Sequence, residues 1–133
     1  MSVQLNHTIV YCRDNRKSAE FLADILGLTA GEQLGPFVPV ALANGVTLDF
    51  ATVGPEVAEI TAQHYAFLVT EDEFDAAFAR IRDRGLPFWA DPHKQRPGEI
   101  NQNDDGRGVY FPDPDGHHLE LLTIPYGGWP AAT

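Results

Sequence analysis

Residues 108–123 read GVYFPDPDGHHLELLT, and the fold turns on how they are read. Two apolar segments, 107–111 and 117–123, flank Pro112-Asp113-Pro114-Asp115-Gly116, a run of turn-forming residues. An antiparallel pair of strands is predicted. In the second segment, side chains alternate between faces with a period of two. His118, Glu120 and Leu122 therefore share one face, opposite Leu119 and Leu121. A carboxylate stands in the middle of a strand.

Moving outward, the chain contains a related pattern twice. Strands are predicted over 3–11 (VQLNHTIVY) and 62–69 (AQHYAFLV), each with one His near its start. His7 and His64 lie 57 residues apart. A helical pattern follows each strand. Over 18–26, Phe21, Leu22, Ile25 and Leu26 recur at helical spacing, with Asp14 or Asn15 available as a cap and Gly27 as a stop. Over 71–84, Phe74, Ala77, Phe78 and Ile81 form the apolar stripe. Acids crowd its first turn and Arg80, Arg82 and Arg84 its last, as the helix dipole favours. Gly85 ends it. Short strands follow in each half: 37–43 and 46–52, joined by the hairpin signal Asn44-Gly45, then 86–90, 107–111 and 117–123. Each half reads as β-α-β-β-β. The expected architecture is one α+β domain over 1–133, with modules at about 3–53 and 62–124 and an irregular tail at 125–133. The second half carries an extra loop, 91–106, long enough to suggest a functional cover.

Composition narrows the function. Lys plus Arg total 9 and Asp plus Glu 19, a net charge of −10. That balance argues against nucleic acid as a partner, because phosphate binding draws on clustered Lys and Arg. It also argues against an anionic membrane surface. Glu56, Glu59, Glu71, Asp72, Glu73 and Asp75 read as a solvated acidic face. No apolar run reaches the length of a membrane span. Cys12 is the single cysteine, so no intrachain disulfide forms and a cytoplasmic setting is expected. Cys12 is out of phase with His7 and reads as a packed thiol.

The strand faces assemble a possible site. Leu5, His7, Ile9 and Tyr11 share a face, as do Thr47, Asp49 and Ala51, and as do His64, Ala66 and Leu68. Each half thus offers one His on its first strand and one carboxylate on its last: His7 with Asp49, His64 with Glu120. Two neutral imidazoles and a carboxylate with open positions suit Fe, Mn, Zn or Ni. A substrate with two neighbouring oxygens can then chelate the ion, which acts as a Lewis acid. A plainer reading stays open, in which each His is a hydrogen-bonded structural residue and Glu120 lies on a wet sheet face.

On NHTIVYCRD, QHYAFLV and GVYFPDPDGHHLELLT, the chain resembles the vicinal oxygen chelate superfamily over about residues 3–124. That superfamily includes glyoxalase I, fosfomycin-resistance proteins, bleomycin-resistance proteins and extradiol dioxygenases. The resemblance implies paired βαβββ modules forming an open, cup-shaped barrel around one divalent metal ion. It implies His7, His64 and Glu120 as metal ligands. Glyoxalase I adds a fourth ligand, usually Glu, where this chain has Asp49, one methylene shorter. Bleomycin-binding relatives lack the metal ligands. The extradiol signature is met at Val109-Tyr110, Asp113-Pro114, Gly116 and Glu120, but Gln102 stands where a His is expected.

The resemblance implies a small metal-dependent enzyme acting on a small oxygenated substrate, as a homodimer. The expected chemistry is that of an isomerase or lyase working through a metal-stabilised enediolate. Asp49 is then a fourth ligand or a base, and Tyr110 a hydrogen-bond donor to the substrate. Alternatives are ring-cleaving dioxygenation, thiol transfer conferring antibiotic resistance, and drug binding without turnover. For thiol transfer, His93, Lys94, Arg96 and Arg107 are the candidates to hold an anion. For a binding cup, Phe37, Phe50, Phe67, Tyr110 and Trp129 are possible walls.

Overall fold

The computed structural model describes residues 2–128. The chain divides into two compact units between Thr61 and Ala62. In the first, β1 (His7–Cys12), α1 (Asn15–Leu26), β2 (Phe37–Ala41) and β3 (Thr47–Thr52) follow one another. In the second come β4 (His64–Leu68), α2 (Glu71–Asp83), β5 (Gly108–Pro112) and β6 (His118–Leu122), with short 3₁₀ turns at Asn103–Asp105 and Tyr126–Gly128. Each unit holds one three-stranded sheet, ordered β1-β3-β2 and β4-β6-β5. In both, the first strand runs parallel to the last and the middle one antiparallel to it. The architecture is α+β.

The fourth strand expected of each module is reduced to isolated pairings. In the first unit, Gly31 N–H donates to Pro39 O, and Leu34 and Phe37 exchange backbone bonds. In the second, Trp89 and Tyr110 exchange backbone bonds at 2.9 and 2.8 Å. Pro87 has no N–H to donate, so a longer ladder over 86–90 is cut short. The first strand is also shorter than the predicted 3–11. Its partner β3 begins at Thr47, which pairs with His7, so Val3 and Leu5 are left exposed.

Helix ends follow local chemistry. Asp14 caps α1 by accepting from Lys17 N–H, and Gly27 closes it at φ 72°, where a side chain would be strained. Thr70 and Glu73 form a reciprocal capping box on α2. The β2–β3 turn closes at Leu42 and Val46, with Gly45 in the left-handed region, rather than as a two-residue turn.

Each unit buries its own core. In the first, Leu22 and Ile25 of α1 are buried, as are Val10, Val38, Val40, Leu48 and Phe50 of the strands. Cys12 is fully buried and its thiol donates to Ala51 O. In the second, Phe74, Ala77 and Ile81 of α2 are buried with Phe67, Val109, Phe111, Leu119 and Leu121. The strands β5 and β6 depart from simple alternation. Tyr110 and Glu120, which point away from Val109, Phe111, Leu119 and Leu121, are buried as well. The second face of this sheet is therefore covered at Tyr110 and Glu120, while His64, Ala66 and Leu68 of β4 stay exposed.

The loop 91–106 is held by its own bonds. The Asp91 carboxylate accepts from the N–H groups of Gln95 and Arg96, and buried Asn101 donates from Nδ2 to Ala90 O at 2.8 Å. Backbone bonds at the carboxyl hold it below the usual aspartate range, outweighing the opposing effect of desolvation. Asn101 also pairs with Gly108 at the start of β5.

Candidate metal centre

The register of the second sheet places the site. His64 pairs with His118, and Ala66 and Tyr110 flank Glu120 on either side. A strand neighbour as small as Ala66 leaves room beside Glu120 for the His64 ring. His64 Nε2 lies 2.9 Å from Glu120 Oε1. Tyr126, arriving from the turn after β6, donates from its hydroxyl to Glu120 Oε2 at 2.9 Å. The Tyr110 and Tyr126 hydroxyls are 2.7 Å apart. The His64 and Tyr110 rings meet edge to face, with centroids 5.8 Å apart.

Glu120 is only 2% exposed, whereas the His64 side chain is 44% exposed. A buried carboxylate is costly unless its oxygens are bonded, and both are. A carboxylate buried at the bottom and an accessible imidazole above it, with adjacent donor atoms, form a donor pair that suits a divalent transition metal. Glu120 is not on a wet face.

Hydrogen-bond direction follows from counting protons. A hydroxyl carries one proton, and that of Tyr126 goes to Glu120 Oε2. Tyr110 must then donate to Tyr126. Burial first, and then this bond to Tyr126, push the Tyr110 hydroxyl well above the ordinary tyrosine range. Burial likewise raises Tyr126, and its bond to Glu120 adds to the rise. Both phenols stay protonated at neutral pH. The expectation that Tyr110 donates to substrate is therefore revised. Its proton is committed, and its oxygen lone pair is what it can offer.

The first unit places His7 and Asp49 differently. They line one cleft of about 420 Å³ with Asn6, Leu34, Pro39 and Ala41. Asp49 stands between Ile9 and Pro39 in the sheet. Asn6 Oδ1 lies 2.8 Å from His7 Nδ1. Asn6 Oδ1 can only accept, so Nδ1 donates in this bond and Nε2 is left outside it, the arrangement of metal-binding histidines. Among the described residues, no group of three His, Cys, Asp or Glu side chains is placed to hold a metal ion.

Arg107 is tied to Glu71 and Asp75, each at 2.8 Å, and Arg96 to Glu99 at 3.1 Å. Lys94 lies over the Trp89 ring. These three are engaged rather than gathered as an anion cradle. Phe50 and Phe67 belong to the cores. Trp129 lies outside the described residues. Tyr126 is the site residue that sequence reasoning missed. Its one signal was an aromatic residue in a Gly/Pro-rich tail.

The family model described as "Glyoxalase/Bleomycin resistance protein/Dioxygenase superfamily" matches residues 4–121. The solved structure named "Oxidase ChaP-H2" superposes with a TM-score of 0.92 at 61% identity, covering 96% of this chain and 99% of that one. The glutathione transferase FosA of Serratia marcescens is 34% identical, over 91% of this chain and 81% of that protein. The metallothiol transferase FosB of Lysinibacillus sphaericus is 26% identical, over 92% and 84%. The α+β reading and the resemblance agree with these matches. The chain belongs to the glyoxalase/bleomycin resistance protein/dioxygenase superfamily.

Proposed function

We propose that this chain is a metal-dependent oxidase of a small substrate bearing neighbouring oxygens. The metal part rests on one observation, the buried Glu120 paired with accessible His64 at 2.9 Å. The oxidative part is supported by 61% identity to an oxidase across nearly the whole chain. We favour it over the isomerase or lyase chemistry expected from sequence.

In this reading, His64 and Glu120 hold one divalent ion, and His7 is a further candidate ligand. When bound, iron or manganese supplies Lewis acidity toward the substrate oxygens and an electron path to dioxygen. The chain's own groups do the rest. Asp49, in the cleft with His7, accepts a substrate proton or serves as a fourth ligand. Tyr110 orients a substrate hydroxyl by accepting from it. Leu34, Pro39 and Ala41 give that cleft its apolar wall. A homodimer is supported by exposed Leu5, Ile9, Tyr11 and Leu68 on or beside β1 and β4, which are edge strands of their own sheets. The single buried cysteine suits the cytoplasm.

A second reading, thiol transfer to an antibiotic, is favoured by the similarity to FosA. The ion-paired state of Arg96 and Arg107 counts against it. Oxygen uptake by the Fe(II)-loaded protein over a panel of polyhydroxylated aromatics separates the two. Uptake that is lost in His64→Ala is expected. A glutathione adduct of fosfomycin, with no uptake, would transfer the site to the second reading.

A further inference from the structure

We propose that Tyr126 is a positioning residue of the metal centre, which restricts Glu120 to a single ligating oxygen and sets the polarity of Tyr110. The proposal rests on the metal reading above and extends it to a residue outside the matched span of 4–121. Tyr126 begins a three-residue turn beyond β6, and its ring is largely exposed. Its hydroxyl nevertheless reaches two groups that are themselves buried, Glu120 at 2.9 Å and Tyr110 at 2.7 Å.

Two consequences follow from that placement. First, Glu120 Oε2 is occupied by a phenol proton, so Oε1, the oxygen beside His64 Nε2, is the one left for an ion. A carboxylate freed from Tyr126 could turn and chelate through both oxygens. Second, Tyr110 spends its proton on Tyr126 and faces the substrate as an acceptor. The group that meets Tyr110 is therefore a donor, a hydroxyl rather than a carbonyl. Positioning through the neighbours of ligands is worth roughly 10–100-fold in metal affinity where it has been measured.

The test is titration with Co(II) alone, followed by visible absorption, on wild type, Tyr126→Phe and Tyr110→Phe. Tyr126→Phe removes one oxygen from an exposed ring but leaves buried Glu120 Oε2 without its donor, so a modest fall in the metal-free thermal midpoint is expected, with a wild-type far-ultraviolet spectrum showing that the fold is kept. It is expected to weaken Co(II) binding about tenfold. Its Co(II) bands should also lose intensity as coordination through both carboxylate oxygens raises the coordination number. Tyr110→Phe, which keeps the Tyr126–Glu120 bond, should stay within about twofold of wild type, below the roughly 10–100-fold range for lost positioning groups. Wild-type affinity and bands in Tyr126→Phe would overturn the role of Tyr126 while leaving the metal reading intact. Failure of wild type to take up Co(II) would overturn both.

Discussion

The two units of this chain carry the same sheet and the same pair of residue types, yet they treat them differently. In each, the His stands two residues before the partner of the acid: His7 before Ile9 opposite Asp49, and His64 before Ala66 opposite Glu120. In the second unit the acid is sealed between Tyr110 and Tyr126 and bonded to its His. In the first, the place opposite Asp49 on the middle strand holds Pro39, and Asp49 lines an open cleft. A repeated scaffold thus delivers one committed acid and one available acid. What differs is the side chain across the sheet and the segment that follows the last strand.

The largest effect should fall on metal retention, and it should be unequal between the units. Glu120→Gln is expected to weaken metal binding at least 100-fold, while Asp49→Asn should cost about 10-fold, the lower end of the range for groups that act around a ligand. Equal losses, read by competition with a chromophoric chelator, would erase the distinction. The cores, by contrast, should behave alike. Phe50→Ala and Phe111→Ala each remove a ring that is at most 2% exposed. Each should cost about 3–5 kcal/mol in urea unfolding. A large cost in one unit alone would show that the other tolerates collapse.

Caps give a smaller effect. Thr70→Ala and Asp14→Ala should each cost about 1 kcal/mol. The capping box on α2 should make Thr70→Ala the larger of the two in a thermal melt.

The smallest effect tests electrostatics at the α2 start. Glu71 is held below the ordinary glutamate range by bonds to Thr123 and Arg107. A lowered folded value means that the stabilisation is present above the unfolded pKa and is lost as pH falls through the folded one. Arg107→Ala should therefore lower the melting temperature slightly near neutral pH and progressively less in acid. A difference from wild type that grows on acidification would contradict the assigned pairing.

Much of this was legible beforehand because it is periodic. The alternation in HLELL placed Glu120 opposite Leu119 and Leu121, and the repeat aligned His7 with His64. The capping box of Thr70 and Glu73 was not among the predicted features, although its three-residue spacing is present in the sequence. The burial of Glu120 was not legible, because alternation tells which face a residue occupies and not what covers that face. Its cover comes from Tyr110 across the ladder and from Tyr126 in an irregular turn. The shortened outer strands were half legible. Pro87 denies a ladder its donor, but only the register shows that Trp89 still pairs with Tyr110.

The central claim is that His64 and Glu120 form the metal-holding pair, and metal content tests it most directly. Tag-free protein purified without chelator, wild type beside Glu120→Gln, would be measured by elemental analysis. The account predicts about one iron or manganese per site in wild type and almost none in the variant, with the fold retained. Wild type that stays metal-free after reconstitution with each ion, or a variant that retains as much as wild type, would contradict it.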